Sequence, residues 1–532
     1  ACINGMGHFI SPYKGKLLVA VLATILATAL YTMNPTIEGM ATTQLANDAS
    51  DILEGVSGAH VHFDKVFRVL AVLGSSYLTR ALLLLASAFF LTNAIQQTIH
   101  DLRGALQKKI QKMPVSYFDE HAFGDVLSCV TNDVDTLSNA LQQTLTRVIS
   151  GILTFILAVA MMLRINLLMT MLALVIIPLV ILITKVFVKR SQDLFDLQQK
   201  TVGQLNGTIT ELYGGFNEII SYNKQEDVAR QFEDVNERMR NSAFKAQFVS
   251  SLISPCVSLV TYLTIGTCAV VGCLQVIQGV ITIGQLQAFI RYVWQINDPL
   301  SQVSQLSAQV QAAFSALRRI FTLLSEEEEV QEGTVKIDKA SVGGNVSFEH
   351  VRFGYDKDLL MKDVNIEVES GQTVAIVGPT GAGKTTLMNL LLRFYDVKGG
   401  AIKIDGVDIR DMKREDLRSL FSLVLQDTWL FSGSIYDNIR YGRLDARKDE
   451  IISAAKMANV HHYIRTLTKG YDSLINEEAN NISQGEKQLL TIARAILKDP
   501  QILILDEATS SVDTRLERRL QEAMHRVMQG RT

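Results

Sequence analysis

The chain has 532 residues, a formal net charge of −3 and a mean hydropathy of +0.19. The length predicts more than one domain, and a positive mean hydropathy is unusual for a soluble protein. The small net charge gives no global attraction to nucleic acid, and the cysteines show neither metal nor disulfide spacing. Apolar residues form long runs before about residue 320, whereas the remainder has the composition of a soluble α/β domain.

Six apolar runs in the first 325 residues are long enough to cross a membrane, since a spanning helix needs about 20 such residues. They cover residues 17–33, 66–95, 148–163, 167–186, 248–277 and 283–310. Short turns at 164–166 and 278–282 join the third run to the fourth and the fifth to the sixth. Long polar helical segments join the second to the third and the fourth to the fifth. The run lengths argue against buried core helices of a soluble protein.

The long connections carry basic residues close to the spans, whereas the first connection, near residues 38–64, is acidic. The basic residues are Arg103, Lys108, Lys109, Lys112, Lys185, Lys189 and Arg190. Because cytoplasmic loops carry the excess of Lys and Arg, the long connections, both termini and the second domain are predicted to be cytoplasmic. We therefore expect a multi-pass protein of the cell inner or plasma membrane.

A polar stripe runs along the sixth predicted span. Its members recur every three or four residues, which places them on one face of a helix. They are Gln287, Arg291, Gln295, Asp298, Gln302, Gln305 and Gln309. Because polar groups are costly against lipid, the stripe and Arg80 in the second span predict a substrate pathway. Pro299 could bend the helix that carries the stripe. The alternative is that the stripe joins helices within the bundle.

Short apolar strands alternate with helical segments in residues 326–532, which predicts an α/β domain after an α-helical membrane domain over 1–325. A match to G-x-x-x-x-G-K-[ST] stands between an apolar run at 374–377 and a helical run from 387, in the order strand, loop, helix, and predicts that this α/β domain is a P-loop nucleotide-binding domain. The loop residues are Gly378, Pro379, Thr380, Gly381, Ala382, Gly383, Lys384, Thr385 and Thr386. Lys384 would reach the outer phosphates, and the Thr385 hydroxyl would hold Mg²⁺.

A second nucleotide element is the apolar run 501–505, which Asp506 and Glu507 follow. Carboxylates at the carboxyl end of a strand stand where α/β folds bind their ligands. We expect Asp506 to hold Mg²⁺ through water and Glu507 to polarise an attacking water.

The order of these motifs resembles the ATP-binding cassette (ABC) family. Between the P-loop and Asp506 lie Gln426, in Val-Leu-Gln-Asp-Thr-Trp-Leu-Phe, and a run from Ser483 that is similar to the family's signature Ser-x-Gly-x-x-Gln. Ser510-Ser-Val-Asp513 follows. The six spans and their long connections resemble multidrug-type exporters that carry one membrane and one nucleotide domain per chain. Segments near 116–123 and 208–215 resemble that branch's two intracellular loops, of which the second docks on the partner's nucleotide domain.

The resemblance implies a role for each matching residue. Residues 378–386 would wrap the phosphates of ATP, with Lys384 on the β and γ groups. Tyr355, in Phe-Gly-Tyr, would stack on adenine. Gln426 would sense the γ-phosphate and Mg²⁺ and couple to the membrane half, and Glu507 would be the general base.

The family also closes two nucleotide domains head to tail, so that each ATP lies between one chain's P-loop and the other's signature. Ser483, Gln484 and Gly485 would therefore contact the γ-phosphate bound to the opposite subunit. A dimer is implied.

The signature departs from the family's usual Leu-Ser-Gly-Gly-Gln, because Gln484 stands for the first glycine and Glu486 for the glutamine. A side chain at Gln484 crowds the approach to phosphate, and an acid at Glu486 is unfavourable there unless it is solvated or paired. With Lys384, Asp506 and Glu507 intact, this split pattern resembles one subunit of heterodimeric bacterial exporters. A homodimer that tolerates the variant is the alternative.

The family's switch histidine would follow residue 532, and His461 and His462 lie too early to replace it. We therefore expect the sequence to be truncated at the C-terminus. A first residue other than Met suggests missing residues at the front as well.

Together, these expectations predict that the chain is half of an ATP-driven exporter that moves a drug-like or lipid-like amphiphile by alternating access. A lipid or peptide exporter is one alternative, and a nucleotide-gated channel or regulatory ABC protein that does not pump is another. The expected partners are a second half-transporter, the lipid bilayer and the transported molecule, with no nucleic acid.

Overall fold

The structure is a computed structural model. It describes residues 2–330, 333–337, 339–356, 358–379, 381–425, 428–476, 479, 481–506 and 514–532. Within these ranges it describes the backbone alone at residues 2–4, 184, 298–308, 340 and 514–516.

The chain divides into two compact units. The first comprises residues 1–109 and 124–325, and the second comprises 110–123 and 326–532. The short segment 110–123 therefore belongs with the C-terminal part of the chain, although the helices on both sides of it belong to the first unit.

The chain up to residue 325 is helical. The helices are α1 (Cys2–Ile10), α2 (Lys14–Leu53), α3 (Phe63–Ile110), α4 (Val115–Glu120), α5 (Phe123–Ser128), α6 (Val134–Ile165), α7 (Leu167–Leu174), α8 (Ile176–Gly214), α9 (Phe216–Ser221), α10 (Gln225–Ser251), α11 (Ile253–Ile277) and α12 (Ile283–Ser325). The two predicted tight turns are confirmed, since α6 gives way to α7 at Asn166 and α11 to α12 at 278–282. The Asn166 side chain caps α7 by accepting a hydrogen bond from the Met169 amide at 3.1 Å.

Five helical segments in the described part of the chain are long and apolar enough to span a membrane: Gly5–Leu53, Phe63–Ile110, Phe123–Ile165, Leu167–Gly214 and Gln225–Ile277. The sixth predicted span lies on α12. The first unit thus confirms the α-helical membrane domain of the predicted fold class.

Helices α2 and α12 touch through their backbones. A Cβ atom on Gly39 would lie 2.3 Å from the carbonyl oxygen of Gly284, and one on Gly284 would lie 1.8 Å from that of Gly39. Small residues allow this approach, as they do between packed membrane helices generally. One side of the crossing is fastened by a 2.6 Å hydrogen bond between the hydroxyls of Thr36 and the buried Tyr292.

The second unit combines short sheets with helices. Its strands are β1 (Val346–Phe353), β2 (Met361–Val368), β3 (Gly399–Ile404), β4 (Val407–Asp408), β5 (Phe421–Val424), β6 (Gly433–Ser434), β7 (Leu474–Ile475) and β8 (Ile502–Leu505). Its helices from 384 onward are α13 (Lys384–Leu391), α14 (Arg414–Ser419), α15 (Ile435–Arg440), α16 (Lys448–Met457), α17 (His461–Thr466), α18 (Gln484–Lys498) and α19 (Thr514–Met528).

The strands form three sheets in the described residues. An antiparallel sheet has the order β2-β1-β3-β4, β5 pairs with β8 in parallel, and β6 pairs with β7 antiparallel. Alternate side chains of β1 and β3, including Phe348 and Ile402, pack with Phe421 in one core. A second core forms around the buried face of α18, including Leu489 and Ile492. The parallel pair β5–β8 carries the carboxyl-end residues that the site uses.

The strand predicted at 374–377 is wrong. These residues form no regular structure, and Val377 is 89% exposed. A strand requires a neighbour for its backbone groups. On one edge β8 pairs with β5, and on the other the Leu503 amide donates to the Thr532 carbonyl oxygen at 2.8 Å, so β8 is paired on both sides without this run.

Candidate nucleotide-binding site

The P-loop turns on two glycines with left-handed backbones. Gly381 has φ +85° and Gly383 has φ +91°, a region that side chains with a Cβ atom rarely adopt. Gly383 then forms the N-cap of α13, whose first residue is Lys384. The helix thus begins at the loop and directs its first amides and the positive end of its dipole there, an arrangement suited to an anion.

Lys384 folds back onto the loop. Its Nζ donates to the carbonyl oxygens of Gly378 at 2.8 Å and Pro379 at 3.2 Å. With Asp506, the residues Gly378 and Lys384 line a cavity of about 590 Å³ whose remaining walls are largely apolar. The structure therefore brings the predicted phosphate lysine and the predicted Mg²⁺ carboxylate to one cavity.

Two oxygen groups near the loop fit Mg²⁺, which prefers hard oxygen ligands. The Thr385 side chain is exposed, and Asp506 follows β8, where its amide donates to the Val424 carbonyl oxygen at 2.9 Å. Among the described residues, neither the Thr385 hydroxyl nor the Asp506 carboxylate has a hydrogen bond or ion pair. Both oxygens are thus available to a metal–phosphate complex.

Tyr355 lies just after β1 with half of its surface exposed. Its ring meets those of Phe353 and Tyr395 edge to face, at centroid distances of 5.1 and 5.0 Å. Its hydroxyl lies 3.2 Å from the Thr386 hydroxyl at the start of α13. These contacts hold an aromatic ring beside the P-loop, where a base could stack on its exposed surface.

The altered signature forms a capping box. Ser483 is the N-cap of α18, and the Glu486 carboxylate accepts hydrogen bonds from the Ser483 amide, at 3.2 Å, and from its hydroxyl. The acid is therefore paired within its own chain and benefits from the helix dipole. Gln484 is exposed and Gly485 is buried. The spacing Ser-x-x-Glu carried this signal in the sequence, where we interpreted Glu486 only as a departure.

Thr380, Gln426 and Glu507 lie outside the described residues, so their predicted roles stay predictions. The helix after the signature begins at Gln484.

Sequence reasoning missed Arg494, which ties α18 to the segment after residue 427. Its guanidinium donates to the carbonyl oxygens of Asn438 at 2.9 Å and Trp429 at 3.2 Å, and it lies over the rings of Phe431 and Tyr441. Burial lowers the pKa of Arg494. No local pattern in the sequence distinguishes this arginine from a solvated helix residue.

Sequence reasoning also missed Tyr395, because no local pattern in the sequence marks this residue. Its hydroxyl donates to the carboxylate of Asp119 on α4, which belongs to the same compact unit. Burial and this hydrogen bond raise the pKa of Tyr395. Tyr395 thereby links the ring of Tyr355 to the segment that resembles the first intracellular loop.

Within the second unit, an ionic cluster joins the segment after α12 to α14 and to the loop after α13. Arg418 donates to both carboxylate oxygens of Glu329, at 2.6 and 2.8 Å, and Arg414 lies 3.5 Å from the same group. Asp396 accepts from Arg414 at 3.0 Å and from Arg393 at 2.8 Å. Burial, followed by the neighbouring Arg393, lowers the pKa of Arg414. Three guanidinium groups thus share two carboxylates, of which Glu329 is largely buried and Asp396 is about half exposed.

Two glutamines of the polar stripe join α12 to α2. The Thr42 hydroxyl donates to Gln287 Oε1 at 2.5 Å, and Gln295 Nε2 donates to the Tyr31 carbonyl oxygen at 3.2 Å. Gln295 is buried. At these two positions the stripe contributes helix–helix contacts.

Two other members of the polar stripe make different contacts. The Arg291 side chain is 63% exposed and lies 3.9 Å from the Glu38 carboxylate. Gln309 donates to Gln143 on α6 at 3.4 Å. The side chains of Asp298, Gln302 and Gln305 lie outside those that the structure describes.

Comparison with known proteins agrees with the site. The family model of the ABC transporter transmembrane region matches residues 17–300, and that of the ABC transporter nucleotide domain matches residues 361–510. The chain is similar to a fatty acid ABC transporter ATP-binding/permease protein of Mycobacterium bovis, with 43% identity over 91% of this chain and 77% of the relative.

Two further relatives align with most of the chain. The ABC transporter ATP-binding protein YfiC of Bacillus subtilis is 36% identical over 98% of this chain and 85% of its own length. An ATP-dependent lipid A-core flippase of Syntrophus aciditrophicus is 32% identical over 82% of this chain and 73% of its own length. The chain therefore belongs to the ABC transporter family, as a multi-pass membrane protein whose nucleotide-binding domain is an ATPase coupled to transport.

Proposed function

We propose that the chain is half of a dimeric exporter that moves a lipid-like amphiphile, with ATP and Mg²⁺ as its energy source. The observation that carries this proposal is the juxtaposition of Lys384, Thr385 and Asp506 in a chain that also has membrane-spanning helices. The lipid class draws support from two relatives, one named for fatty acids and one for lipid A-core. Drug-like and peptide substrates are the competing outcomes of a transport screen.

Each site residue receives a role in this proposal. The loop from Gly378 to Thr386 and the start of α13 bind the phosphates, with Lys384 on the β and γ groups. Thr385, Gln426 and Asp506 hold Mg²⁺. When bound, the metal neutralises charge on the transferring phosphate. Glu507 acts as the general base, and Tyr355 stacks on adenine.

Closure of two nucleotide domains would then be transmitted by the segments 116–123 and 208–215 and switch the bundle from inward to outward access. ATP supplies the energy through its different affinity for the two states. The hydrogen bond between Tyr395 and Asp119 supports a connection of the adenine subsite to the first of these segments.

The partner in the dimer is proposed to be a different half-transporter. In the capping box of Ser483 and Glu486, the serine hydroxyl is already engaged with a carboxylate, which disfavours its donation to a phosphate of the opposite subunit. Lys384 and Asp506 have no comparable competitor among the described residues. This chain would therefore complete a competent site with its P-loop and a weak site with its signature.

The proposal is tested with inside-out vesicles that contain the chain and its partner. ATP should drive accumulation of a labelled single-chain lipid, and Glu507→Gln should abolish it because hydrolysis no longer resets the transporter. ATP hydrolysis without accumulation of any lipid, drug or peptide would favour the regulatory alternative. Full, Glu507-dependent, transport-coupled ATPase activity of the purified chain alone would refute the heterodimer.

Tyr355→Ala should weaken MgATP binding about tenfold, because base–aromatic stacking contributes on the order of 1–3 kcal/mol. Tyr355→Phe is the matched control, since it keeps the ring and loses only the hydroxyl. Titration with a fluorescent ATP analogue measures both affinities. Equal weakening in the two variants would assign the effect to the hydroxyl contact with Thr386 instead of stacking.

A thiol-labelling experiment separates the two interpretations of the polar stripe. In a chain whose native cysteines are replaced, Arg291→Cys should react with a water-soluble maleimide, because this side chain is exposed, whereas Gln295→Cys should be protected by its burial. Labelling is read by mass spectrometry in sealed membranes. Protection at both positions, and at Gln287, would leave the stripe with a packing role only.

A further inference from the structure

Three charged side chains lie on α2, α3 and α12 of the membrane unit, where Tyr77 and Arg80 join α3 to α2 through Glu38 and Tyr31. Glu38 lies on α2, Arg80 on α3 and Arg291 on α12. The Glu38 carboxylate accepts a hydrogen bond from the Tyr77 hydroxyl at 2.9 Å and lies 3.9 Å from Arg291 Nε. Tyr77 and Arg80 are three residues apart on α3 and thus share a helix face. Two positive charges therefore accompany one negative charge.

Of the two arginines, Arg80 has no carboxylate partner among the described side chains. Its guanidinium lies over the ring of Tyr31, 4.3 Å from the centroid. A cation–π contact is worth about 2 kcal/mol or more when it is desolvated. An arginine at the centre of a membrane helix costs about 2.5–3.5 kcal/mol on the insertion scales and more in simulations. The ring therefore offsets only part of the cost, and a further anion would stabilise Arg80.

Glu38 does not serve as that anion. Its carboxylate is shared by Tyr77 and Arg291, and Glu38 and Tyr31 are seven residues apart on α2, about 10 Å along the helix axis. Arg80 lies beside Tyr31, away from Glu38. Because Glu38 and Arg291 balance each other, the positive charge of Arg80 remains unbalanced. A single negative charge would neutralise the cluster, whereas a cation would add to its repulsion.

We infer that Arg80, supported by Tyr31, binds the carboxylate head group of a single-chain anionic lipid, while Glu38 and Arg291 neutralise each other. A guanidinium suits this ligand because it donates two parallel hydrogen bonds to a carboxylate. The acyl chain would lie along the apolar side chains of α3 on the Arg80 face, where Leu84, four residues further on, is exposed. This inference deepens the proposed function and rests on it, since it assigns the head-group chemistry of the transported lipid.

The test is equilibrium binding of tritiated palmitate to the full transporter in detergent, with competition by palmitate and by its uncharged methyl ester. Wild-type protein should prefer palmitate by about tenfold, or ~1.4 kcal/mol. Arg80→Gln should remove this preference and leave the binding of tritiated methyl palmitate unchanged, which also verifies the fold. Arg80→Lys should keep part of the preference because it retains the charge. Arg68→Gln, on the same helix and exposed, should match wild type.

Three results would overturn the inference. The first is a wild-type protein that binds palmitate and methyl palmitate equally, and the second is an Arg80→Gln variant that keeps the preference. If the Arg80→Gln variant binds neither probe, the Arg80→Lys variant is measured in its place. Loss of its preference for palmitate over methyl palmitate is the third result. In each case lipid accumulation in vesicles still tests the proposed function separately. Absence of both lipid binding and lipid transport would overturn the two together.

Discussion

Lys384→Ala should reduce ATP hydrolysis by on the order of 100-fold or more. Removing a fixed charge that stabilises a transferring phosphate typically costs this much in rate. In the structure, Lys384 Nζ already lies within the P-loop, bonded to the carbonyl oxygens of Gly378 and Pro379. Little reorganisation is then needed for the ammonium group to exchange these carbonyls for phosphate oxygens. Phosphate release by the purified transporter with its partner measures the effect.

The control for this prediction is Lys362→Ala, which removes the same charge from an exposed position on β2. It should leave hydrolysis near the wild-type rate. Lys384→Ala should also leave the melting temperature nearly unchanged, because the lost hydrogen bonds are local to the loop. A variant that hydrolyses ATP at more than about a tenth of the wild-type rate would contradict the proposed role, since one fixed charge accounts for more.

Glu329→Gln should destabilise the nucleotide-binding domain by about 3–5 kcal/mol, the usual cost of removing one partner from a buried ion pair. Among the described residues, Arg418 would then lose its carboxylate partner, and Arg414, which has only 9% of its side chain exposed, would keep Asp396. For a domain of this size, about 3 kcal/mol corresponds to a fall in melting temperature of roughly 6–12 °C. Thermal unfolding followed by circular dichroism or calorimetry detects such a shift.

Glu327→Gln is the matched control, because Glu327 is exposed two residues earlier in the chain. Its melting temperature should stay close to wild type, as for most surface substitutions. Adding Arg418→Gln to Glu329→Gln should recover part of the loss, since it removes an uncompensated charge. Equal melting temperatures for the Glu329 and Glu327 variants would show that the cluster contributes little.

Much of the membrane unit followed from local patterns. Runs of apolar residues and short polar breaks predicted the helices and the turn at Asn166, because each signal spans only a few neighbouring residues. The P-loop could also be predicted from local sequence, because its turns need glycine at Gly381 and Gly383, where the φ angles are positive. The run 374–377 shows the limit of this reasoning. Its composition is that of a strand, but pairing depends on which strands are adjacent in the fold.

The contacts that sequence reasoning missed join residues far apart in the chain. Tyr395 and Asp119 are separated by 276 positions, and Arg418 and Glu329 by 89. Neither pair has a periodicity that could reveal it. The capping box at Ser483 and Glu486 is the opposite case, because its spacing was visible and only its interpretation was incomplete.

The backbone contact between Gly39 and Gly284 has a mechanical consequence. The carbonyl oxygens already lie against the α-carbons, and Thr36 is bonded to Tyr292, so α2 and α12 are held together at this crossing. No cargo passes between two helices at a point where even a methyl group does not fit. In the proposed alternating access, an outward opening of the bundle would therefore separate other pairs of helices and move α2 and α12 together.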